Sequence, residues 1–330
     1  MKLLSVIIPS FNVQKYLRRC LDSLLYDSSV ERYLDIIIVN DGSQDNTMQI
    51  AKSYQKEHEC VRVIDKPNGG HGSTVNAGLN VAQGKYIKVI DADDWVNFYD
   101  FPRFIRALKN TDADIIVTNY RQEFLYQTRS ELLRFCSADT SVTEINEITQ
   151  LIHEPNFFCE FSMHSMTIKT ETLKSCWGNG LLEHTFYVDQ QFVAIALASA
   201  RTYQLLNYDV YRYFIGRPEQ SVAQGNSYRY RCDHERVLKW LLKFMNNKDS
   251  QAKPYLQAVL NQQISIMLKL HYEIYLSPYC KPSAIKEIIN FDNFLRKNYP
   301  SLKRPRLSRL FIQTLLYNRR TQSWKNRFVD

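Results

Sequence analysis

The chain has 330 residues, with 42 lysines and arginines against 34 aspartates and glutamates, and so carries a net charge of +8. Its 45% hydrophobic and 23% charged residues are typical of a globular protein and exclude a largely disordered chain. No apolar run approaches about 18 residues, so no membrane-spanning helix is expected. The positive charge comes without a nucleic-acid-binding motif, so no nucleic-acid partner is expected either.

The cysteines and the start of the chain favour a cytoplasmic protein. The seven cysteines are scattered without a Cys-x-x-Cys pair, which favours reduced thiols over disulfides or a zinc site. Polar Ser10 and Asn12 interrupt the apolar start, so no secretory signal is expected. The basic stretch 303–327 suits either a solvated helical face or a peripheral contact with the inner face of a membrane.

Strand-like and helix-like segments alternate through the first third of the chain. The predicted strands are 3–9, 35–39, 61–65, 85–90 and 114–118, and the predicted helices are 14–26, 45–57, 73–82 and 101–109. This alternation predicts an α/β fold with a mostly parallel sheet.

Two later regions have different patterns. Residues 118–139 place two apolar arms around a polar tip, which predicts a projecting β-hairpin. Its aromatic arms would need cover, either from a partner subunit or from the same domain. Beyond residue 225 the spacing becomes helical, with predicted helices 228–246, 253–276, 283–298 and 307–317. We therefore expect one domain over 1–225 and a helical domain over 226–330, with homo-oligomerisation through the hairpin or the helices left open.

Polar side chains follow three of the predicted strands at their carboxyl ends. These are Ser10 and Asn12, then Asn40 and Asp41, and then the acidic run Asp91, Asp93 and Asp94. Ligands of parallel α/β sheets bind at this edge, although turn and helix-cap chemistry alone would also explain the residues around Asp41.

The acidic run 91–94 packs three carboxylates into four residues after a strand. Like charges this close repel, and a cation such as Mg²⁺ or Mn²⁺ is one way to offset them. An acidic surface loop is the alternative. The run alone does not decide between them.

Taken together, the segments SVIIPSFN at 5–12, VNDGSQDNT at 39–47 and DADD at 91–94 resemble the family 2 glycosyltransferases. NGGHG at 68–72 and NAG at 76–78 resemble the segment that this family has before its metal motif. The resemblance is dense over the first 120 residues and sparser to about residue 225. It implies a GT-A fold, which is a Rossmann-like nucleotide-diphospho-sugar transferase domain.

The resemblance also implies a nucleotide site along the strand ends. Pro9 and the backbone beside it would lie along the uridine, and Asp41 would contact the uracil or ribose. Asn40 stands where the family more commonly has a first acid of a pair. The full set of implied nucleotide contacts is Pro9, Ser10, Asn12, Asp41, Asn68, Gly70, Asn76, Asp91 and Ala92.

Asp91 and Asp93 match the family's metal motif. The resemblance implies that Asp93 coordinates Mn²⁺ or Mg²⁺ bridging the two phosphates, with Asp91 towards the sugar or ribose. Asp94 would support the motif or cap a helix. A divalent ion of this kind stabilises a departing diphosphate as a Lewis acid.

The segment EHTFYVDQQF at 183–192 resembles the part of the family that supplies the catalytic base. Asp189 occupies the position of that base, although capping of the following helix is its alternative role. Direct displacement by an activated hydroxyl would invert the anomeric configuration. Glu183, His184 and His164 are candidate donor or acceptor contacts, and a structural role is the simpler interpretation of His164.

Residues 213–222 resemble a segment of bacterial members that decorate surface glycans or glycoproteins. Within it, Arg217, Gln220 and Ser221 are candidate donor or acceptor contacts, or parts of a loop that closes the domain. The sequence thus predicts a metal-dependent inverting transferase that moves glucose, N-acetylglucosamine or galactose from a UDP-sugar to a glycan or glycoprotein hydroxyl. Bacterial capsule, exopolysaccharide or adhesin glycosylation is the expected setting.

Three other function classes fit less well. A processive polysaccharide synthase should have membrane helices and a Gln-x-x-Arg-Trp motif. A sugar nucleotidyltransferase should have a glycine-rich basic loop after the first strand, where this chain has Ser10-Phe11-Asn12. An inactive sugar-binding or scaffold partner of another glycosyltransferase is opposed by the intact Asp91, Asp93 and Asp189.

Overall fold

A computed structural model describes most of the chain. The described residues are 2–124, 130–133, 136–151, 161–216, 220, 225–277 and 279–302. Arg217, Ser221, the predicted helix 307–317 and the basic stretch 303–327 lie outside them.

Ten strands of the described residues form one mixed sheet in the order β3-β2-β1-β4-β9-β6-β10-β5, with β7 on β6 and β8 on β10. The strands are β1 Leu4–Ser10, β2 Leu34–Asn40, β3 Val61–Asp65, β4 Tyr86–Val89, β5 Trp95–Val96, β6 Ile115–Phe124, β7 Ser130–Leu133, β8 Thr143–Glu144, β9 Met166–Lys169 and β10 Thr202–Ile215. The first four strands of this order are parallel, whereas β9 is antiparallel to both of its neighbours. The α/β prediction is confirmed, and the sheet is mostly parallel only in its first half.

Helices cover both faces of the sheet. They are α1 Leu17–Leu24, α2 Ser28–Glu31, α3 Thr47–Glu57, α4 Gly70–Val81, α5 Asp100–Ala107, α6 Thr170–Ser175, α7 Asp189–Ser199, α8 Asn226–Arg229, α9 Arg231–Met245, α10 Lys248–Gln251, α11 Pro254–Leu276 and α12 Ile285–Asn298. Three 3₁₀ turns, Leu108–Asn110, Ile145–Gln150 and Pro282–Ala284, complete the set. Within the described part of the chain, no helix is both long enough and apolar enough to cross a membrane.

Strand β1 is central, and every residue of it is buried. Since side chains alternate along a strand, Ile7 and Ile8 enter different layers of the core. The Ile8 layer is covered by α1 and α5, and the Ile7 layer by α4, α7 and the helices beyond residue 226. The C-terminal helices and the sheet therefore share one continuous apolar cluster.

The two arms of the predicted hairpin pair within the main sheet, whereas residues 125–129 and 134–135 of the predicted hairpin lie outside the described residues. Tyr120 to Glu123 of β6 pair with Leu133 to Ser130 of β7, while β6 also pairs with β10 from Ile115 to Phe124. Strand β10 thus pairs with one edge of β6, which is the first arm of the predicted hairpin. An oligomeric role for residues 118–139 stays a prediction.

Two histidines are buried among the C-terminal helices. The rings of His234 in α9 and His271 in α11 stack with centroids 5.2 Å apart and 11° between their planes. Among the described residues, neither ring nitrogen of His271 has a hydrogen-bond partner. Burial lowers the pKa of His234 to about 4 and the pKa of His271 well below its usual value.

This pair is expected to make the fold sensitive to acid. Below pH about 6.5 the unfolded histidines bind protons while the folded ones stay neutral, so the free energy of unfolding falls as the pH drops towards 4. For His234 alone, this decrease in the free energy of unfolding is on the order of 3 kcal/mol. His271→Leu should reduce this pH dependence and stabilise the protein at pH 5, as measured by urea unfolding at pH 7.5 and 5. An unchanged difference between the two pH values would contradict this account.

Candidate active site

A cleft of about 870 Å³ opens at the carboxyl ends of β1, β2 and β4. Most of the predicted nucleotide residues line it, namely Pro9, Ser10, Asn12, Asp41, Asn68, Gly70, Asp91 and Ala92, together with Asp93 and His184. The polar residues at these three strand ends therefore meet in one cleft.

Asp41 lies under the start of α4. Its Oδ1 accepts hydrogen bonds from Gly69 N at 2.9 Å and Lys66 Nζ at 2.7 Å, and its Oδ2 accepts one from Gly70 N at 2.8 Å. Carboxylates at helix N-termini satisfy unpaired N–H groups and favour the positive end of the helix dipole. Asp41 therefore fixes the Gly69-Gly70 turn, and its ion pair with Lys66 was not predicted from the motifs.

The loop after β1 is tied to the loop after β2. Asn12, which has a positive φ of 53°, donates through its backbone N to Ser43 Oγ at 3.0 Å. Its Oδ1 accepts from Gln44 N at 2.8 Å. Ser10 is buried and donates to Ile8 O at 3.2 Å. These polar residues thus shape the rim of the cleft through their own hydrogen bonds.

Asp91 lies between two histidines. His71 Nε2 is 2.8 Å from its Oδ1, and His164 Nε2 is 4.0 Å from its Oδ2. Burial lowers the pKa of His164. At His71 burial also lowers the pKa, but the carboxylates of Asp91, Asp189 and Asp41 together outweigh it, so the pKa is raised above its usual value. The motif NGGHG contains this histidine, but motif matching assigned it no role.

Asp94 holds strand β10 against the acidic run. It is 1% exposed, and its oxygens accept from Tyr211 Oη at 2.5 Å and from Phe214 N at 2.8 Å. Burial and the charge of Asp91 raise the pKa of Asp94 well above its usual value. Asp94 therefore supports the motif, and its alternative role as a helix cap is wrong.

The donor set around Asp91 fits a divalent cation. Asp91, Asp94 and His164 each place one ligand atom within 4.8 Å of the others. Carboxylate oxygens suit Mg²⁺ and Mn²⁺, and an imidazole nitrogen also suits Mn²⁺. A cation here would relieve the repulsion that raises the pKa of Asp94. Asp93 lines the cleft beside this group.

His164 is held in place by a lysine that sequence reasoning missed. Lys88 of β4 is fully buried, and its Nζ donates to His164 O at 2.7 Å and Met166 O at 3.2 Å. Burial lowers the pKa of Lys88 to about 7. The His164 ring also stacks on Tyr213 with 4.5 Å between centroids. His164 is therefore fixed from two sides next to Asp91.

The loop 181–188 crosses the start of α4 and leads into α7. Asn76 makes two hydrogen bonds with the backbone of Leu181. Its Nδ2 donates to Leu181 O at 3.0 Å, and its Oδ1 accepts from Leu181 N at 2.9 Å. His184 N donates to Gly69 O at 2.6 Å. A Cβ on Gly72 would lie 2.2 Å from Leu182 O, so the close approach requires glycine. Asn76 thus positions this loop and does not line the cleft.

Asp189 is the first residue of α7, and no side chain caps that helix at Val188. Its Oδ2 accepts from Gln190 Nε2 at 2.9 Å, and Gln190 Oε1 accepts from Gln263 Nε2 of α11 at 2.9 Å. Asp189 is half-buried and is not among the residues that line the cleft. Its negative charge acts to raise the pKa of His71 and of His164, the two histidines beside Asp91, although burial lowers the pKa of His164 overall.

The remaining predicted contacts lie elsewhere. Glu183 is exposed outside the residues that line the cleft, and its backbone O accepts from Thr185 Oγ1 at 2.8 Å. Gln220 is buried and bonds to the backbone of Gly216 and Phe214. Gln220 therefore fixes the end of β10 through its own hydrogen bonds.

The fold and the motifs agree with known proteins. The structure of S. aureus TarS residues 1–349 with UDP-GlcNAc matches 90% of this chain and 81% of that chain, with a TM-score of 0.67 and 20% identity. This likeness shows that the fold is GT-A, as the sequence predicted. The profile of Glycosyl transferase family 2 matches residues 5–166. Residues 5–166, just under half of the chain, therefore match glycosyltransferase family 2, which confirms the resemblance.

Two bacterial relatives each match part of the chain. The uncharacterized glycosyltransferase EpsJ of Bacillus subtilis is 38% identical over 114 residues, which are 34% of this chain and 33% of EpsJ. Glycosyltransferase GlyG of Streptococcus pneumoniae is 31% identical over 152 residues, which are 44% of this chain and 49% of GlyG. The matches thus span a third to a half of these relatives.

Proposed function

We propose that the protein is a metal-dependent, inverting glycosyltransferase that moves a hexose or N-acetylhexosamine from a UDP-sugar to a hydroxyl of a glycan or glycoprotein. The observation that carries this proposal is the set of carboxylates Asp41, Asp91 and Asp93 that line one cleft at the strand ends. Asp41 lies at the start of α4, Asp91 and Asp93 follow β4, and Asp189 begins α7. The TarS structure, which holds UDP-GlcNAc in the same fold, supports a UDP-sugar as donor.

In this proposal the nucleoside lies over the loops after β1 and β2. Pro9 and Asn12 would contact it, and Asp41 would order the Gly69-Gly70 turn beneath it. Because both oxygens of Asp41 already accept backbone N–H groups, its main contribution is to hold that turn in place.

Asp91 and Asp93 would hold Mn²⁺ or Mg²⁺, with His164 and Asp94 within reach of Asp91. The ion, when bound, supplies positive charge that stabilises the departing diphosphate. Lys88 would keep His164 oriented towards Asp91 through its hydrogen bond to His164 O.

Asp189 would take the proton of the acceptor hydroxyl. General-base catalysis of this kind contributes on the order of 10²–10⁴ in rate. Attack by that oxygen on the face of the sugar opposite the diphosphate inverts the anomeric configuration. The helix start places the carboxylate, and the Gln190 amide fixes one of its oxygens.

The test needs no knowledge of the acceptor. The protein is incubated with Mn²⁺ and, separately, UDP-glucose, UDP-galactose, UDP-GlcNAc and GDP-mannose, and release of the nucleotide is followed without acceptor. We expect metal-dependent binding and slow hydrolysis of at least one UDP-sugar, and little of either with GDP-mannose. No binding and no hydrolysis across the panel would refute the transferase assignment.

A further inference from the structure

We propose that Phe186 and Tyr230 form a stacking platform for a pyranose ring of the acceptor. This inference rests on the proposed function and extends it, because Tyr230 belongs to the C-terminal helical region. That region would then contribute one wall of the transfer site in addition to supporting the fold.

The two rings form an aromatic surface within the cleft. Their centroids are 3.7 Å apart with 24° between the ring planes, and both residues line the cleft. Phe186 is 40% exposed, although burial of a phenylalanine is normally favourable. Tyr230 is half-buried, and a partly exposed aromatic pair in a cleft is typical of a surface that binds a ligand.

The location of the pair favours the acceptor over the nucleoside. Phe186 lies three residues before Asp189, on the loop that also carries His184 and Thr185 along the cleft. The proposed nucleoside position is over the loops after β1 and β2, to which neither ring belongs. A ring bound at Phe186 would instead contact the loop that leads into the proposed base.

The platform is held from both parts of the chain. Phe186 N donates to Asp233 Oδ2 of α9 at 3.3 Å, and the next residue, Tyr187, packs edge-on against His234 with 4.9 Å between centroids. The guanidinium of Arg229 lies 5.5 Å from the centroid of the Tyr230 ring. A surface that is already ordered loses little conformational entropy when a ligand binds.

The chemistry of the Phe186 and Tyr230 platform matches that of a sugar ring. A pyranose has an apolar face of C–H groups and a rim of hydroxyls, so it needs an aromatic surface with polar groups beside it. His184, which is exposed and also lines the cleft, offers such a polar group. A bound pyranose would cover the exposed surface of the platform while its hydroxyl rim remained near His184.

The experiment uses the full chain with Mn²⁺ and saturating UDP. Binding of methyl β-glucopyranoside, methyl β-galactopyranoside and methyl N-acetyl-β-glucosaminide is measured by saturation-transfer NMR, and UDP affinity is measured by calorimetry. The variants are Phe186→Leu and Tyr230→Leu, with Tyr230→Phe keeping the ring. Tyr26→Leu removes an aromatic ring that is 66% exposed and does not line the cleft.

The wild type, Tyr230→Phe and Tyr26→Leu should all bind at least one of the three glycosides. Each leucine variant should bind it about tenfold more weakly and keep the UDP affinity of the wild type, which would also show that the variant is folded. The platform is refuted if no glycoside binds the wild type, if the leucine variants bind glycosides normally, or if UDP affinity falls in parallel. Failure of the wild type to bind UDP would instead refute the proposed function.

Discussion

Replacing Asp189 with asparagine is expected to slow sugar transfer by on the order of 10²–10⁴ while leaving UDP affinity within about twofold. The amide keeps the size of the side chain and can still pair with Gln190, so the start of α7 should be preserved. What it loses is the ability to accept the proton of the attacking hydroxyl. The measurements are single-turnover transfer or hydrolysis of the UDP-sugar and calorimetric binding of UDP.

Asp249→Asn is the matched control, since Asp249 is an exposed carboxylate in the first turn of α10. It should transfer sugar at the rate of the wild type. If Asp189→Asn lost UDP binding and transfer to the same degree, Asp189 would hold the donor and would not act as the base.

Asp91→Asn is expected to remove the metal dependence of UDP binding. In the wild type, we expect chelation of Mn²⁺ to weaken UDP binding by about 10- to 100-fold, a range typical of damage to metal sites. In the variant, the affinity should already be low and should change little on chelation, because the central carboxylate of the Asp91, Asp94 and His164 group has lost its charge. Asp93→Asn should share this behaviour.

UDP titrations with Mn²⁺ and with EDTA test this second prediction. Asp112→Asn serves as the control, because Asp112 has a 75% exposed side chain paired with lysines away from the cleft. An Asp91→Asn protein that still bound UDP more tightly with Mn²⁺ than with EDTA would show that Asp91 is not needed to hold the ion.

Local sequence patterns predicted the first half of the fold well. The strand over residues 61–65 has the bounds that were predicted, and β1 and β2 lie within one residue of theirs. The helix predicted from residue 14 begins at Leu17 instead, because the backbone N of Gln14 bonds to Asp45 Oδ2 in the neighbouring loop. Strong apolar runs identify central strands, whereas their ends depend on contacts with other loops.

The less predictable parts of the site depend on contacts between residues far apart in the chain. Asp94 bonds to Tyr211 across 117 positions, and Asn76 bonds to Leu181 across 105. The family motifs contain Asp94 and Asn76, but they do not predict the hydrogen-bond partner of either residue. In the sequence, Lys88 is a polar residue within an apolar strand. Its hydrogen bond to His164 O is found only in the folded structure.

The hydrogen-bonded series from Gln263 through Gln190 to Asp189 limits how such an enzyme can be recombined. The proposed base is connected through Gln190 to α11, a helix that carries none of the predicted site residues. Exchanging the helices beyond residue 226 for those of another enzyme would therefore replace Gln263 and could shift Asp189, even with every family motif intact. In a chimera, activity would depend on whether the transplanted helices restore the hydrogen bond from Gln263 to Gln190. The helices beyond residue 226 and the part of the chain before them are therefore expected to evolve as one unit.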